Sequence, residues 1–219
     1  MNKNAIIIVT VAALFLGAVF WALKPSKKYV LPFYQYNNQT HTLEKFPQPF
    51  TELAKVGAFK CLDQNGNTYS QENIGNRIFV ADYFFVTCPG ICKQMGQQMQ
   101  RLYKKYEKDE NLVLLSYTSK PEEDSVKVLQ EYSKRMKVED TDKWKFLVGD
   151  KNLMFDLAQK DFGLLNPEDA ESDFVHTERF VLVDKNKYIR GYYDGTSPQE
   201  VDQLIKDIDL LKNEYSTNE

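Results

Sequence analysis

Apolar positions change their period several times along the chain, and each change marks an element. Ala5 to Leu23 is an unbroken apolar run without a charge, long enough to span a bilayer as a helix. From Lys24 to about Val56 periodicity gives way to a stretch rich in Pro, Asn, Gln and aromatic residues, which predicts a linker. Phe59 to Leu62 alternates as a strand, and Asp63-Gln64-Asn65-Gly66-Asn67 supplies an Asn-Gly turn into the next one. Ile78 to Val86 (IFVADYFFV) is almost continuously apolar or aromatic, the pattern of a central strand covered on both faces. Ile91, Met95, Met99, Leu102 and Tyr106 then recur at helical spacing, predicting an amphipathic helix over 92–106. Leu112 to Tyr117 reads as a second buried strand, and Pro121 followed by three acids opens a helix. Trp144, Phe146 and Val148 alternate as a strand, and Asp150 is placed to cap a short helix reaching about Asp161. Arg179 to Asp184, a Lys-Asn-Lys turn and Tyr188 to Tyr193 form an antiparallel hairpin. Ser197-Pro198-Gln199-Glu200 caps a last helix with Val201, Leu204, Ile205, Ile208 and Leu211 on one face.

A β-α-β half followed by a β-β-α half predicts an α/β, thioredoxin-like fold: a central mixed sheet flanked by helices, preceded by one N-terminal transmembrane helix. The division is an anchor over 1–24, a linker over 25–56 and a globular domain over 57–219. An uncleaved anchor is favoured because the bulky Phe20-Trp21 region lacks a small-residue cleavage site and no lipobox cysteine is present. Lys24, Lys27 and Lys28 outnumber Lys3 across the run, which by itself places the body in the cytosol. The cysteine chemistry described next points to the extracytoplasmic face and is given more weight.

Composition removes some classes of function. With 42% hydrophobic and 27% charged residues the chain is an ordinary globular one. A net charge of -3, without a basic stripe interleaved with aromatics, argues against nucleic acid as a partner. Three cysteines imply no disulfide framework. Cys61 lies in the alternating Phe59 to Leu62 segment and reads as a small buried apolar residue; His41 lies among polar residues and carries no role.

Cys88-Pro89-Gly90-Ile91-Cys92 is the segment with chemistry. It places two thiols four residues apart where a central strand hands over to a helix, close enough for a disulfide or for chelating one ion. A helix N-terminus favours the thiolate, which is both the nucleophile and the metal-binding form. One more residue separates the pair than in a C-x-x-C oxidoreductase motif, which weakens a purely redox reading. Two soft sulfurs favour Cu(I), and one imidazole completes a three-coordinate site. The candidate is His176, in a long loop before the Arg179 strand, which in this fold starts beside the cysteine loop. Cys88 and Cys92 therefore stand both as a redox-active pair and, with His176, as metal ligands. Met95 and Met99 fit the apolar face of their helix and read as core. The acids Asp161, Glu168, Asp169, Glu171, Asp173 and Glu178 around the histidine loop read as a solvated charged surface. Zinc is disfavoured, since a closed structural site needs four ligands.

Tyr83-Phe84-Phe85-Val86-Thr87-Cys88-Pro89-Gly90-Ile91-Cys92 and Asp173-Phe174-Val175-His176-Thr177-Glu178-Arg179-Phe180-Val181-Leu182-Val183-Asp184 resemble the signature segments of the Sco/SenC family. The likeness runs from about Gly57 to Leu211 and includes Asp63-Gln64-Asn65-Gly66. It implies a membrane-tethered, thioredoxin-like protein whose Cys88, Cys92 and His176 bind copper, as Cu(I) with Cu(II) left open. It also implies delivery to the dinuclear copper centre in the copper-binding subunit of cytochrome c oxidase, or to another copper or thiol carrier, outside the membrane. The alternative is a thiol-disulfide oxidoreductase that reduces the cysteines of the recipient copper site. Lys93, Gly90 and the Ser119-Lys120-Pro121-Glu122-Glu123-Asp124 segment depart from the family pattern, and none of these changes removes a ligand. Nearby groups of this kind tune affinity, potential and partner choice.

Overall fold

The computed structural model describes residues 30–165 and 175–216, apart from residues 38, 41 and 176. The expected membrane span over 1–24, His41, His176 and the acids Glu168, Asp169, Glu171 and Asp173 lie outside the described residues. Among those described, no helix is long and apolar enough to cross a membrane.

Among the described residues nine strands form one mixed sheet: β1 Phe33–Asn37, β2 Thr42–Phe46, β3 Lys60–Asp63, β4 Thr68–Ser70, β5 Ile78–Phe84, β6 Leu112–Thr118, β7 Trp144–Val148, β8 Arg179–Val183 and β9 Ile189–Asp194. Their spatial order is β2-β1-β9-β8-β5-β6-β7-β3-β4. The middle strands β5, β6 and β7 run parallel, and β8 and β9 are added antiparallel on one side. The short helix α1 Gln71–Ile74 follows β4; α2 Cys92–Tyr106 joins β5 to β6, and α3 Val126–Arg135 joins β6 to β7. The helix α4 Lys151–Asp156 continues into a π-helical turn, Leu157–Asp161, and α5 Pro198–Ser216 closes the described chain.

Period-two alternation along the strands sorts the core into two layers. Val80, Phe84, Leu114, Phe146, Phe180 and Leu182 face α2, α3 and α5, where Met95, Met99, Leu129 and Leu204 meet them. Phe79, Ala81, Tyr83, Leu115, Tyr117 and Val181 face the other way onto Met154, Leu157 and Phe162. This explains the almost continuous apolar run of β5, every residue of which is buried. Met95, Met99 and Cys61 are core residues, and burial pushes the Cys61 thiol up to about 12. Capping follows the sequence as well: the Asp150 side chain accepts from the Asn152 and Leu153 amides, and the Ser197 hydroxyl accepts from the Glu200 amide at 3.3 Å.

The structure differs from the sequence expectation over residues 31–56. Instead of a linker, the chain from Leu31 makes the β1–β2 hairpin, which extends the sheet through pairing of β1 with β9. Leu31, Phe33, Leu53 and Val56 are buried. Asn37 Oδ1 accepts from the Gln39 and Thr40 amides to shape the turn. Gly163 explains how closely this hairpin is covered. At φ +58° it packs against Tyr36, and a β-carbon there would come within 2.5 Å of Tyr36 Cβ, so the position combines left-handed backbone with no room for a side chain. A second difference is the start of α3. Pro121 to Glu123 form a turn and the helix begins at Val126 with Ser125 as its cap. Asp161, expected on a solvated surface, instead accepts the Gly57 amide at 2.6 Å.

Candidate functional site

The cysteine segment is held by what surrounds the end of β5. The Phe84 carbonyl accepts from the Ser119 amide at 2.8 Å and the Ser119 hydroxyl at 3.2 Å. Two residues later, the Val86 amide donates to Asp124 Oδ2 at 3.2 Å, and the Thr118 hydroxyl donates to the same oxygen at 2.5 Å. Asp124 is 1% exposed; burial raises its carboxyl above the ordinary range, against the pull of the Thr118 and Val86 donors. It therefore ties the cysteine loop to the end of β6, a role hidden in the sequence, where it reads as one acid in a helix's first turn. The Cys88 amide then donates to the Phe85 carbonyl at 3.2 Å, closing a turn, and α2 begins at Cys92.

No disulfide joins the two thiols. Cys88 is half-buried, whereas Cys92 is only 8% exposed. Burial first, and then the neighbouring Cys88 side chain, push the Cys92 thiol up to about 12, against the backbone at Phe85. The expectation that the helix N-terminus favours a thiolate therefore fails at Cys92. A helix terminus stabilises an anion by about 0.3–1 kcal/mol, less than one pKa unit, and desolvation outweighs it. The resulting pair is asymmetric, with one thiol facing solvent and its partner held protonated behind it.

Beneath the pair is a group that the sequence did not single out. Asp82 lies inside β5, 3% exposed, and takes a 2.5 Å hydrogen bond from the Ser116 hydroxyl, which itself accepts from Trp144 Nε1 at 2.9 Å. Burial raises Asp82 from 3.8 to about 7, with Ser116 pulling the other way. Its charge contributes to the upward shifts of both Cys92 and Tyr132, and Tyr132 stacks on Phe84 at 5.0 Å. The consequence for stability has a definite sign. The folded protein retains a proton that the unfolded chain releases near pH 4, so this contribution is full below pH 4 and is lost as pH rises toward 7. At 1.36 kcal/mol per unit it reaches about 4 kcal/mol at most. Asp82→Asn should remove it: in urea unfolding the variant gains stability over the wild type between pH 4 and pH 8. A difference independent of pH would contradict the assignment.

Among the described residues, no three His, Cys, Asp or Glu side chains are grouped to hold a metal ion. The described donor set is the two sulfurs, Cys88 and Cys92, and His176 lies outside the described residues. An open cleft of about 460 Å³ begins at the pair and runs between α2 and α3.

Comparison with known proteins adds the following. The SCO1/SenC family profile matches residues 48–212. A protein of Bacillus subtilis (strain 168) named SCO1 protein homolog is 28% identical over 158 residues, covering 70% of this chain and 81% of its own. The solved structure of BsSco, described as a member of the Sco family of cytochrome c oxidase assembly proteins with a disulfide switch, superposes with a TM-score of 0.62. It is 26% identical and covers 75% of this chain and 98% of its own. Arabidopsis thaliana ScoI, crystallised with copper bound, superposes with a TM-score of 0.57 at 18% identity, over 73% of this chain and 99% of its own; at that identity the likeness is one of fold.

Proposed function

The chain belongs to the SCO1/SenC family, and from that membership and the paired thiols we propose that it carries copper as cargo, held by Cys88, Cys92 and His176. The observation that supports this most is the pair of neighbouring, unbridged thiols at the strand-to-helix junction. Two soft sulfurs suit Cu(I), and related structures with copper bound share the fold. Copper enters from the Cys88 side, and Cys92 gives up its proton when it becomes a ligand. Three-coordination leaves room for a ligand from the recipient, so release proceeds by ligand exchange. The recipient in this reading is the copper-binding subunit of cytochrome c oxidase or another copper or thiol carrier. The N-terminal apolar run anchors the domain on the extracytoplasmic face.

The asymmetry of the pair supports a second reading, thiol-disulfide exchange. The Cys88 thiolate attacks a disulfide of the recipient, forming a mixed disulfide and releasing one recipient thiolate. Cys92 then displaces the other, leaving an internal disulfide and a reduced recipient. His176→Ala separates the two readings. Under the copper reading, the variant binds Cu(I) at least tenfold more weakly in a chelator competition and exchanges with a small aromatic disulfide within twofold of the wild-type rate. Unchanged copper affinity would remove His176 from the site.

A further inference from the structure

The cleft beside the cysteines carries a charge opposite to that of the whole chain. Its walls hold Lys93 and Lys104 from α2 and Arg135 and Lys137 from the end of α3, all exposed, and among the described residues no carboxylate lines it. Net charge over the chain is -3. Among the described residues none of these four cations has an ion pair, whereas Lys105, Lys120 and Lys145 do. Two of the four stand where local structure disfavours them. Lys93 lies in the first turn of α2, where the positive end of the helix dipole repels a cation. Lys137 follows the end of α3 at φ 55°, a left-handed position that glycine fills with less strain.

The walls are fixed relative to one another. Gln100 Nε2 donates to the Met136 carbonyl at 2.9 Å, and Gly96 lets α3 approach so closely that a β-carbon would lie 3.1 Å from Met136 Cε. Lys93 and Lys104 are eleven residues apart on one helix, which at 1.5 Å per residue is about 16 Å. A small anion cannot bridge that length, but about five residues of extended chain can. Cys88 and Cys92 lie in the same cleft, so a chain docked along it lies against the reacting sulfur.

We propose that this cleft docks a carboxylate-rich segment of the protein that exchanges copper or disulfides with Cys88. The proposal rests on the site reading above and adds the chemistry by which the recipient is recognised. Because the charges are exposed, the contact is strong at low salt and screened as salt rises.

The test is fluorescence anisotropy with the full-length chain in detergent and two labelled eight-residue peptides without cysteine, one of Glu and Asp, the other its Gln and Asn counterpart. The acidic peptide is expected to bind at least tenfold more tightly than the neutral one at 50 mM salt and to lose most of that advantage at 500 mM. Lys93→Gln with Lys137→Gly should weaken acidic binding at least fivefold; Lys127→Gln with Lys206→Gln, equal in charge change and also exposed, should alter it less than twofold. Equal binding of the two peptides, or equal loss in the two variant pairs, would overturn the proposal. So would displacement by citrate at matched carboxylate concentration, which would make the cleft a small-anion site. Copper titration of the same samples keeps the questions apart: acidic binding in a protein that takes up no copper would leave the cleft standing and remove the copper reading.

Discussion

Cys92→Ser is expected to trap a mixed disulfide on Cys88, and Cys88→Ser to trap almost none. The difference follows from geometry. Cys88 is half-buried in an open cleft, while Cys92 is 8% exposed with its thiol pushed up to about 12. Only a thiolate attacks a disulfide, so at neutral pH the exposed sulfur begins the reaction and the buried one finishes it. Incubated with a small aromatic disulfide and read by intact mass, Cys92→Ser should be modified almost stoichiometrically. Under the same conditions Cys88→Ser should reach less than a tenth of that. Copper responds differently, because both sulfurs are needed in the proposed site: each substitution replaces a soft thiolate with a neutral hydroxyl and should lower Cu(I) affinity at least a hundredfold. Equal modification of the two variants would contradict the assigned asymmetry.

Arg190→Met is expected to destabilise the fold by about 3–5 kcal/mol, the cost of breaking a buried ion pair from one side. Arg190 is 2% exposed. Its guanidinium donates to Asp184 Oδ2 at 3.1 Å and Glu214 Oε2 at 2.8 Å, and also to the carbonyls of Leu31 and Pro32. Glu214 in turn accepts the Leu31 amide at 2.6 Å. One side chain thus joins β9, the β8–β9 turn, α5 and the start of the β1–β2 hairpin, and methionine removes the guanidinium from between two buried carboxylates. Urea unfolding measures the loss, and proteolysis should begin near Leu31 in the variant. Adding Glu214→Leu should restore part of the stability, since it removes one of those charges. A loss below about 1 kcal/mol for the single substitution would show that the network is not what fixes the hairpin.

Legibility in the sequence followed the range over which each signal acts. The helix over 92–106 and the strands at Ile78, Leu112 and Trp144 could be read because period and burial coincide within a few residues. The β1–β2 hairpin could not. As an edge pair it shows no sustained alternation, and what secures it is Arg190, about 160 residues away in sequence. Asp82 was visible as one acid in an apolar run, but its proton depends on burial, and its partners Ser116 and Trp144 are brought beside it only by the sheet. The cysteine pair is local and could be found; the inversion of its electrostatics, with burial overriding the helix terminus, required knowing how deeply Cys92 sits. The cleft was illegible because its two walls come from α2 and α3, on either side of β6 in sequence. Asp124 was mistaken for a helix-opening acid because its partners, Thr118 and Val86, belong to two neighbouring strand ends.

The most direct test of the central claim is anaerobic Cu(I) titration of the reduced full-length chain against a competing chelator, with Cys88→Ser/Cys92→Ser beside it. The account predicts one tightly bound copper per chain in the wild type and none in the double variant. Copper binding that survives loss of both cysteines, or a wild type that cannot compete with the chelator, would contradict it.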